Sequence, residues 1–240
     1  MKSNKEKTIQ DEKMVKASTD YHIASFVKET NQKNGPGHVS VATVKQQEGK
    51  TKINHTSFFP GAVGSLVNAV TFGSVPVGGQ LANDYKEDLE EADHVFIKKC
   101  RPEEYKNGVQ AQKKFEDDVK SGSRYYAVFG IINPLSSPVA AAYSAYQSSQ
   151  LSRKKFEQTN GNAPKEDMCG IEVYDNDSHV QKKIEVDNCC SSSTHICNAA
   201  GVSVSNPLVP TFFPTELRQQ GFEKIDKEEF KSRFVNNNKK

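Results

Sequence analysis

Residues 37–61 read GHVSVATVKQQEGKTKINHTSFFPG, and the other predicted elements are assigned around them. Valine and other β-branched residues alternate with small or polar ones from His38 to Val44, which is typical of a β-strand. The turn Gln47-Glu48-Gly49-Lys50 follows, and TKINHTSFF supplies a partner strand that ends at Pro60-Gly61. The sequence therefore predicts a β-hairpin here, and its first strand begins with a histidine.

Further elements are predicted on both sides of this hairpin. Residues 21–28 form an apolar cluster that predicts an earlier strand, and HVFIKK at 94–99 predicts a later one. Residues 102–120 have an amphipathic helical pattern with Pro102 in the first turn, and RYYAVFGII at 124–132 predicts a strand. Residues 61–82 are interpreted as an apolar loop, with a lid or substrate wall as the alternative, and the charged residues 83–93 as a short exposed helix or loop.

The second half of the chain is less regular. Residues 133–168 contain a helical pattern and an exposed loop, and residues 170–186 predict a hairpin with an Asp-Asn-Asp turn. DNCCSSSTHICNAAG at 187–201 predicts a helix that is capped by Asp187 or Asn188 and stopped by Gly201. A loop that is rich in proline and phenylalanine then leads to a charged helix near 214–234 and a frayed tail.

These elements predict an α+β fold in which an antiparallel sheet packs against a cysteine-bearing helix. We divide the chain into a disordered arm (1–20), a hairpin with strand–helix–strand (21–132), an insertion (133–186), and a cysteine helix with a C-terminal helix (187–234). All of these segments are expected to form one domain.

The composition restricts the classes of partner. The net charge of the 240 residues is +2, so nothing favours nucleic acid. No window reaches the roughly 18 apolar residues of a membrane span, and the charged start lacks the apolar core of a secretory signal. We expect a cytoplasmic protein, or one that is secreted without such a signal. The five cysteines argue against a disulfide framework.

The predicted cysteine helix suggests a nucleophile. A helix N-terminus favours a thiolate, and Cys189 lies at such a start directly after Asn188. A histidine on a neighbouring strand can act as the base, and His38 begins one. His55 and Ser57 lie two residues apart on the next strand, so both face one side and either can orient His38.

Several alternatives use the same residues. A cysteine at a helix start is commonly just a small buried residue. A zinc site would use Cys189, Cys190, His195 and Cys197, but adjacent cysteines rarely share a metal and no C-x-x-C is present. We therefore expect no metal and no cofactor. The charge run KEDLEEAD at 86–93 is interpreted as a solvated face.

Three segments together carry a resemblance to a known family. GHVSVATV with NHTSFFPG resembles the hairpin of circularly permuted NlpC-like papain-fold proteins, in which the histidine strand precedes the cysteine helix. DNCCSSSTHICNAAG is similar to the nucleophile helix of that group. Residues 85–110 and the strand at Tyr125 resemble the connecting strand–helix–strand. The wider clan includes lecithin retinol acyltransferase-like enzymes and many bacterial hydrolases and toxins.

The resemblance implies a thiol hydrolase or acyl/amide transferase with Cys189 as nucleophile, His38 as base, and Ser57 or His55 as the third polar group. A protein or peptide substrate is implied, and a host protein is a candidate target if the chain is a bacterial effector. Two departures are the doubled cysteine, which makes Cys190 an alternative nucleophile, and the intervening residues 133–186. A non-catalytic protein-binding module on the same fold is the competing hypothesis.

Overall fold

A computed structural model describes residues 19–71, 73–130, 134–175 and 177–236, and it has a mixed α+β fold of antiparallel sheets and helices. In chain order the elements are β1 (Thr19–Lys28), β2 (His38–Gln47), β3 (Lys50–Thr56), β4 (Phe58–Pro60), α1 (Ala62–Val70), β5 (Val77–Leu81), α2 (Lys86–Glu91), β6 (His94–Lys99), α3 (Pro102–Lys120), β7 (Arg124–Tyr126), α4 (Ser136–Asn160), β8 (Lys165–Glu166), β9 (Glu172–Val173), β10 (Glu185–Asp187), α5 (Cys189–Ala199), a 3-10 turn (Pro210–Phe212), α6 (Phe213–Gln219), β11 (Glu223–Ile225), α7 (Lys227–Phe230) and a π-helical turn (Lys231–Val235).

The larger sheet has five strands in the order β11-β6-β1-β2-β3, and every neighbouring pair is antiparallel. The predicted hairpin is confirmed as β2 and β3, with Val41 opposite Thr56. The predicted strands at 21–28 and 94–99 are confirmed as β1 and β6. Strand β1 lies at the centre of the sheet, and the histidine strand β2 lies between β1 and β3.

Both faces of the inner strands β1, β2 and β6 are buried, and the period-2 geometry sends their alternate side chains to opposite faces. Ile23 and Val27 of β1 belong to the hydrophobic core on one face. Ala24 and Phe26 of the same strand belong to the core on the other face. The sheet is therefore a central layer, and a one-residue register shift would exchange the two cores.

Helix α5 packs on β2 and α3, and it covers the first face of the sheet. A glycine makes the approach of α3 close, since a Cβ on Gly108 would lie 3.0 Å from Thr43 Cγ2 and 3.2 Å from Ala200 Cβ. Leu89 and Ala92, from α2 and its end, and Phe230 of α7 cover the second face. The predicted bounds of α3 and α5 are confirmed, with Asn188 as the N-cap of α5.

A smaller sheet has the strand order β10-β7-β5-β4 and lies beside the N-terminus of α5. Its strands β10 and β7 are parallel, with Asp187 opposite Tyr126. A separate core of Phe58, Val77, Phe115 and Tyr126 joins this sheet to α3. The parallel pair fixes the last residues before Cys189.

The segment that we interpreted as an insertion contains α4 and the short β8–β9 hairpin. The helix is 25 residues long but buries only Ser136 and Ser152. The tip of the hairpin exposes Met168 and Ile171. Within the described residues, no helix combines the length and the apolar character that crossing a bilayer requires.

Two sequence predictions for the middle of the chain are wrong in part. Residues 61–82 are not a loop, because they form α1 and β5. The glycines and small residues there allow β5 to pair with β4 and β7, which a local reading of the sequence does not reveal. Residues 83–93 do contain a short helix, α2, but its Leu89 is buried rather than solvated.

Three further predictions are corrected by the structure. The described residues between 170 and 186 do not form the predicted hairpin, because β9 pairs with β8 and β10 pairs with β7. The strand predicted at 124–132 is present only at Arg124–Tyr126, because residues 127–130 leave the strand and form a turn, and residues 131–133 lie outside the described part. The predicted C-terminal helix is interrupted by β11, which pairs with β6 at the edge of the larger sheet.

The predicted disordered arm at 1–20 lies outside the described residues as far as residue 18, and Thr19 and Asp20 begin β1. The end of the predicted tail, 237–240, is outside them as well.

Candidate active site

Cys189 is the first residue of α5, and its position is fixed by a capping box. The Asn188 side chain accepts a hydrogen bond from the Ser191 backbone N–H at 2.8 Å, and the Asn188 N–H donates to Ser191 Oγ at 2.9 Å. Asn188 Nδ2 also donates to the Val128 carbonyl at 3.1 Å. The N–H groups at the start of a helix have no intrahelical acceptors, so those of Cys189 and Cys190 point out of the N-terminus.

The Cys189 thiol is surrounded by hydrogen-bond donors. The Cys190 thiol hydrogen bond is the largest influence that lowers its pKa, and burial opposes it. The hydrogen bond and positive charge of His38 lower the pKa further, as does the backbone N–H of Val39. The pKa of Cys189 therefore lies well below that of an ordinary thiol, so this cysteine favours the thiolate.

Cys190 has the opposite character. Its hydrogen bond to Cys189 raises its pKa most, and burial and the negative charge of Cys189 raise it further. It therefore remains a neutral thiol and a donor to Cys189. This difference favours Cys189 over Cys190 as the nucleophile, although the sequence left both open.

His38 begins β2 directly after Gly37, and any residue with a Cβ would be strained at that position. Gly37 has φ +69°, and a Cβ there would lie 2.6 Å from the Lys28 carbonyl oxygen. The imidazole Nε2 is hydrogen-bonded to Ser57 Oγ at 2.7 Å. Burial alone would lower the pKa of His38, but the hydrogen bond and charge of Cys189 and the Asp88 carboxylate outweigh it, so the pKa is raised. Cys189 and His38 therefore favour a thiolate–imidazolium pair.

The structure separates the two candidates for the third polar group. Ser57 is buried and contacts His38 directly. His55 instead contacts Asp88 of α2, with 3.0 Å between Nε2 and Oδ2. The same Asp88 oxygen lies 3.9 Å from His38 Nε2. Ser57 is thus the immediate partner of His38, and His55 acts on His38 through the Asp88 carboxylate.

Asp88 is a site residue that the sequence analysis missed, because the charge run 86–93 was interpreted as a solvated face. Its side chain is only 16% exposed. Burial would raise its pKa, but the close contact with His55 Nε2 at 3.0 Å and the positive charges of His38 and His55 lower it to about 2. One signal was present in the sequence: Asp88 lies beside Leu89 and four residues before Ala92, so it borders the buried face of α2.

Tyr126 was also missed. Parallel pairing places it opposite Asp187, two residues before the nucleophile candidate. Its hydroxyl is a hydrogen-bond partner of Cys189, and burial together with the negative charge of Cys189 raises its pKa. The tyrosine therefore stays neutral and donates to the sulfur. Its role depends on the β7–β10 register, which no local pattern indicates.

A cleft of about 620 Å³ opens beside His38. Ser57, Asp88 and the His38 ring lie in its wall, and Phe26, Phe59 and Leu81 supply apolar surface. The His38 side chain is 21% exposed. Cys189 is 4% exposed and is not among the described residues that line this cleft. The cleft therefore exposes the His38 ring, whereas Cys189 lies buried behind its wall.

The residues proposed for the zinc alternative are not grouped. His195 is exposed, whereas Cys189, Cys190 and Cys197 are buried. In the described ranges, no three histidine, cysteine or acidic side chains are arranged to hold a metal ion.

Comparison with known proteins gives no relative: no family model, no curated protein and no solved structure matches the chain.

Proposed function

We propose that the chain is a cysteine-dependent hydrolase or acyl/amide transferase with a permuted papain-like arrangement. The single observation that carries the proposal is the contact between Cys189, at the N-terminus of a capped helix, and His38 on the adjacent strand β2. A thiolate that is stabilised by an imidazolium is the reactive form of papain-like nucleophiles.

The chemistry follows from these positions. The Cys189 thiolate attacks a carbonyl carbon, and the oxyanion that forms is held by the backbone N–H of Cys189 at the helix start. The His38 imidazolium then donates its proton to the leaving amine or alkoxide, which leaves a thioester on Cys189. Water or an acceptor amine, deprotonated by His38, attacks this thioester and regenerates the thiolate.

The supporting groups have distinct roles in this proposal. Ser57 holds His38 Nε2 at 2.7 Å, so it orients the ring. Asp88 lies 3.9 Å from the same nitrogen and stabilises the imidazolium by its charge. Cys190 and Tyr126 donate to the sulfur and keep it ionised. The substrate class is a protein or peptide amide or ester, and a host-cell protein is the proposed target if the chain acts as a bacterial effector.

The pH dependence of alkylation tests the activated thiolate. Iodoacetamide reacts with thiolates, so the rate for each cysteine rises with pH around its pKa. We expect the rate for Cys189 to level off at a pH well below about 8.5, the ordinary thiol value, for which a short cysteine-containing peptide alkylated in parallel is the reference. In His38→Ala the Cys189 midpoint should move upward, with a rate at pH 7 that is about tenfold lower or more.

His94→Ala is the matched control, because His94 also begins a strand and is also 21% exposed, but its Nε2 pairs with Glu29 at 2.9 Å. Fragment-ion mass spectrometry distinguishes Cys189 from Cys190. Equal midpoints for Cys189 and the reference peptide thiol, or an unchanged midpoint in His38→Ala, would contradict the proposal. Acetylation of Cys189 by p-nitrophenyl acetate, absent in His38→Ala, would further support acyl transfer.

The burial of Cys189 favours one competing function, a non-catalytic binding module. The outer face of α1 exposes Val63, Leu66 and Val70 and could serve as its partner surface. This function predicts that Cys189→Ala and His38→Ala both retain partner binding and cellular effect. Loss of effect in both folded variants would exclude it.

A further inference from the structure

The cleft beside His38 is lined by more negatively charged carboxylates than the proposed chemistry uses. Four carboxylates line it: Asp84, Glu87, Asp88 and Glu91. They recur at three- and four-residue spacing, so they share one face of α2 and its preceding turn. Glu90, on another face of this helix, is instead bound to Lys231 at 2.7 Å.

Two of the four carboxylates are neutralised by partners within the protein. Glu91 binds Lys28 at 2.7 Å, and Asp88 lies against His55 and His38. Glu87 has no ion pair or hydrogen bond within the described residues. Asp84 has only a 3.9 Å contact with the exposed Lys86 ammonium, besides a bond from the Lys86 backbone N–H. The cleft therefore keeps an excess of negative charge.

The remaining walls of the cleft are apolar or neutral. Phe26, Phe59 and Leu81 provide apolar surface, and Asn34, Gln80 and Asn83 provide neutral amides. An apolar wall with an acidic rim matches a long side chain that has methylene groups and a terminal positive charge. The cleft volume of about 620 Å³ is sufficient for such a side chain together with its flanking backbone.

Resting on the proposed function, we propose that the substrate is a protein segment that places a lysine or arginine side chain in this cleft, with its charge between Asp84 and Glu87. The side chain occupies the cleft next to the base, and its backbone brings the reacting carbonyl toward Cys189. An anionic segment is excluded by the same carboxylates.

The test compares three chloroacetyl-glycyl-X-glycinamide peptides, in which X is lysine, norleucine or glutamate. All carry one reactive group, and norleucine has the stem of lysine without its ammonium. The readout is the second-order rate constant with which each peptide alkylates Cys189 in the full chain. We expect lysine to react about five- to tenfold faster than norleucine at low salt, and glutamate to be slowest. The lysine preference should shrink in 0.5 M salt.

The charge is then removed with Glu87→Gln and Asp84→Asn together. The lysine-to-norleucine ratio should fall to between about one and two, since the two exposed carboxylates that supply the preference are gone. Glu90→Gln is the matched control on the same helix and should keep the wild-type ratio. Because the ratio is taken within each variant, a general change in thiol reactivity cancels. Glu87→Gln alone serves if the double variant does not fold.

The outcomes separate the two levels of the proposal. If Cys189 reacts with none of the peptides and has an ordinary thiol pH midpoint, the proposed function fails. If Cys189 is activated but the three peptides react equally, or the ratio persists in the double variant, only the cationic substrate class is overturned. Spermidine and acetyl-glycyl-lysyl-glycinamide are added as competitors. Protection by spermidine at a tenfold lower concentration than the peptide would assign the cleft to a free polyamine and overturn the protein segment.

Discussion

Two regions of the molecule differ in how much they bury. One is the five-stranded sheet together with α5, and the other is the segment 134–175. In the sheet, strands β1, β2 and β6 are buried on both faces, and α5 buries seven of its residues. In the other segment, the longer helix α4 buries only two. Its connections to the rest are largely polar, such as the Val180 backbone N–H to Ser152 Oγ at 2.8 Å. The candidate site is therefore attached to the well-packed region, and the stability of the two regions should respond differently to mutation.

The largest difference should appear when an aromatic side chain is removed from each region. Phe96 of β6 is fully buried in the core under α5, so Phe96→Ala should destabilise the protein by about 3–5 kcal/mol. Tyr146 of α4 is 65% exposed, so Tyr146→Ala should cost less than about 0.5 kcal/mol. Urea unfolding measures both. Similar losses would mean that the contrast between the regions is wrong.

A pH series of unfolding should sharpen the comparison at α2. The pKa of Asp88 is lowered in the folded state to about 2, from 3.8. A depressed carboxyl pKa stabilises the fold above the unfolded-state value, and this stabilisation is lost as the pH falls from about 4 to 2. We expect wild type to lose about 2 kcal/mol more than Asp88→Asn over that range. Parallel pH curves for the two proteins would contradict the lowered pKa of the Asp88 carboxyl.

The smallest expected effect concerns the cap of α5. Asn188→Ala removes the bond to the Ser191 N–H, and such caps contribute about 1 kcal/mol. Asn162→Ala, in the exposed turn after α4, should change stability by less than about 0.5 kcal/mol. The cap variant should also raise the alkylation midpoint of Cys189, because the helix start is no longer fixed. A stable cap variant with an unchanged midpoint would show that the other donors alone hold the sulfur.

The same two regions show how far the sequence alone can predict the fold. The alternation around Val39 and Val41 predicts β2, and the Asn-Cys start with Gly201 after the end predicts α5, because both are local patterns. The two residues His38 and Cys189 could be selected as a pair, and Ser57 as one of two partners. The two elements follow from signals that lie within a few residues, whereas the pairing of His38 with Cys189 rested on the resemblance of their motifs to the permuted NlpC-like hairpin and nucleophile helix.

The missed features depend on contacts between distant parts of the chain. Asp88 becomes a site residue only because α2 packs beside β1 and β2, and its charged neighbours conceal this in the sequence. Residues 185–187 pair with β7 rather than with their own neighbours. The C-terminal helical pattern is interrupted because Glu223–Ile225 finds an edge strand. In each case tertiary pairing overrides a plausible local preference.

The position of β11 has a consequence for how the chain folds while it is being synthesised. Strand β6 receives one neighbour, β1, from residues made before it, but its other edge is covered only by residues 223–225. Until the ribosome has released that late stretch, the Val95–Ile97 backbone is an open sheet edge, which is a site for unwanted association between nascent chains. The outer strand on the opposite side, β3, carries Lys50 and Lys52, and such charges discourage the same association permanently.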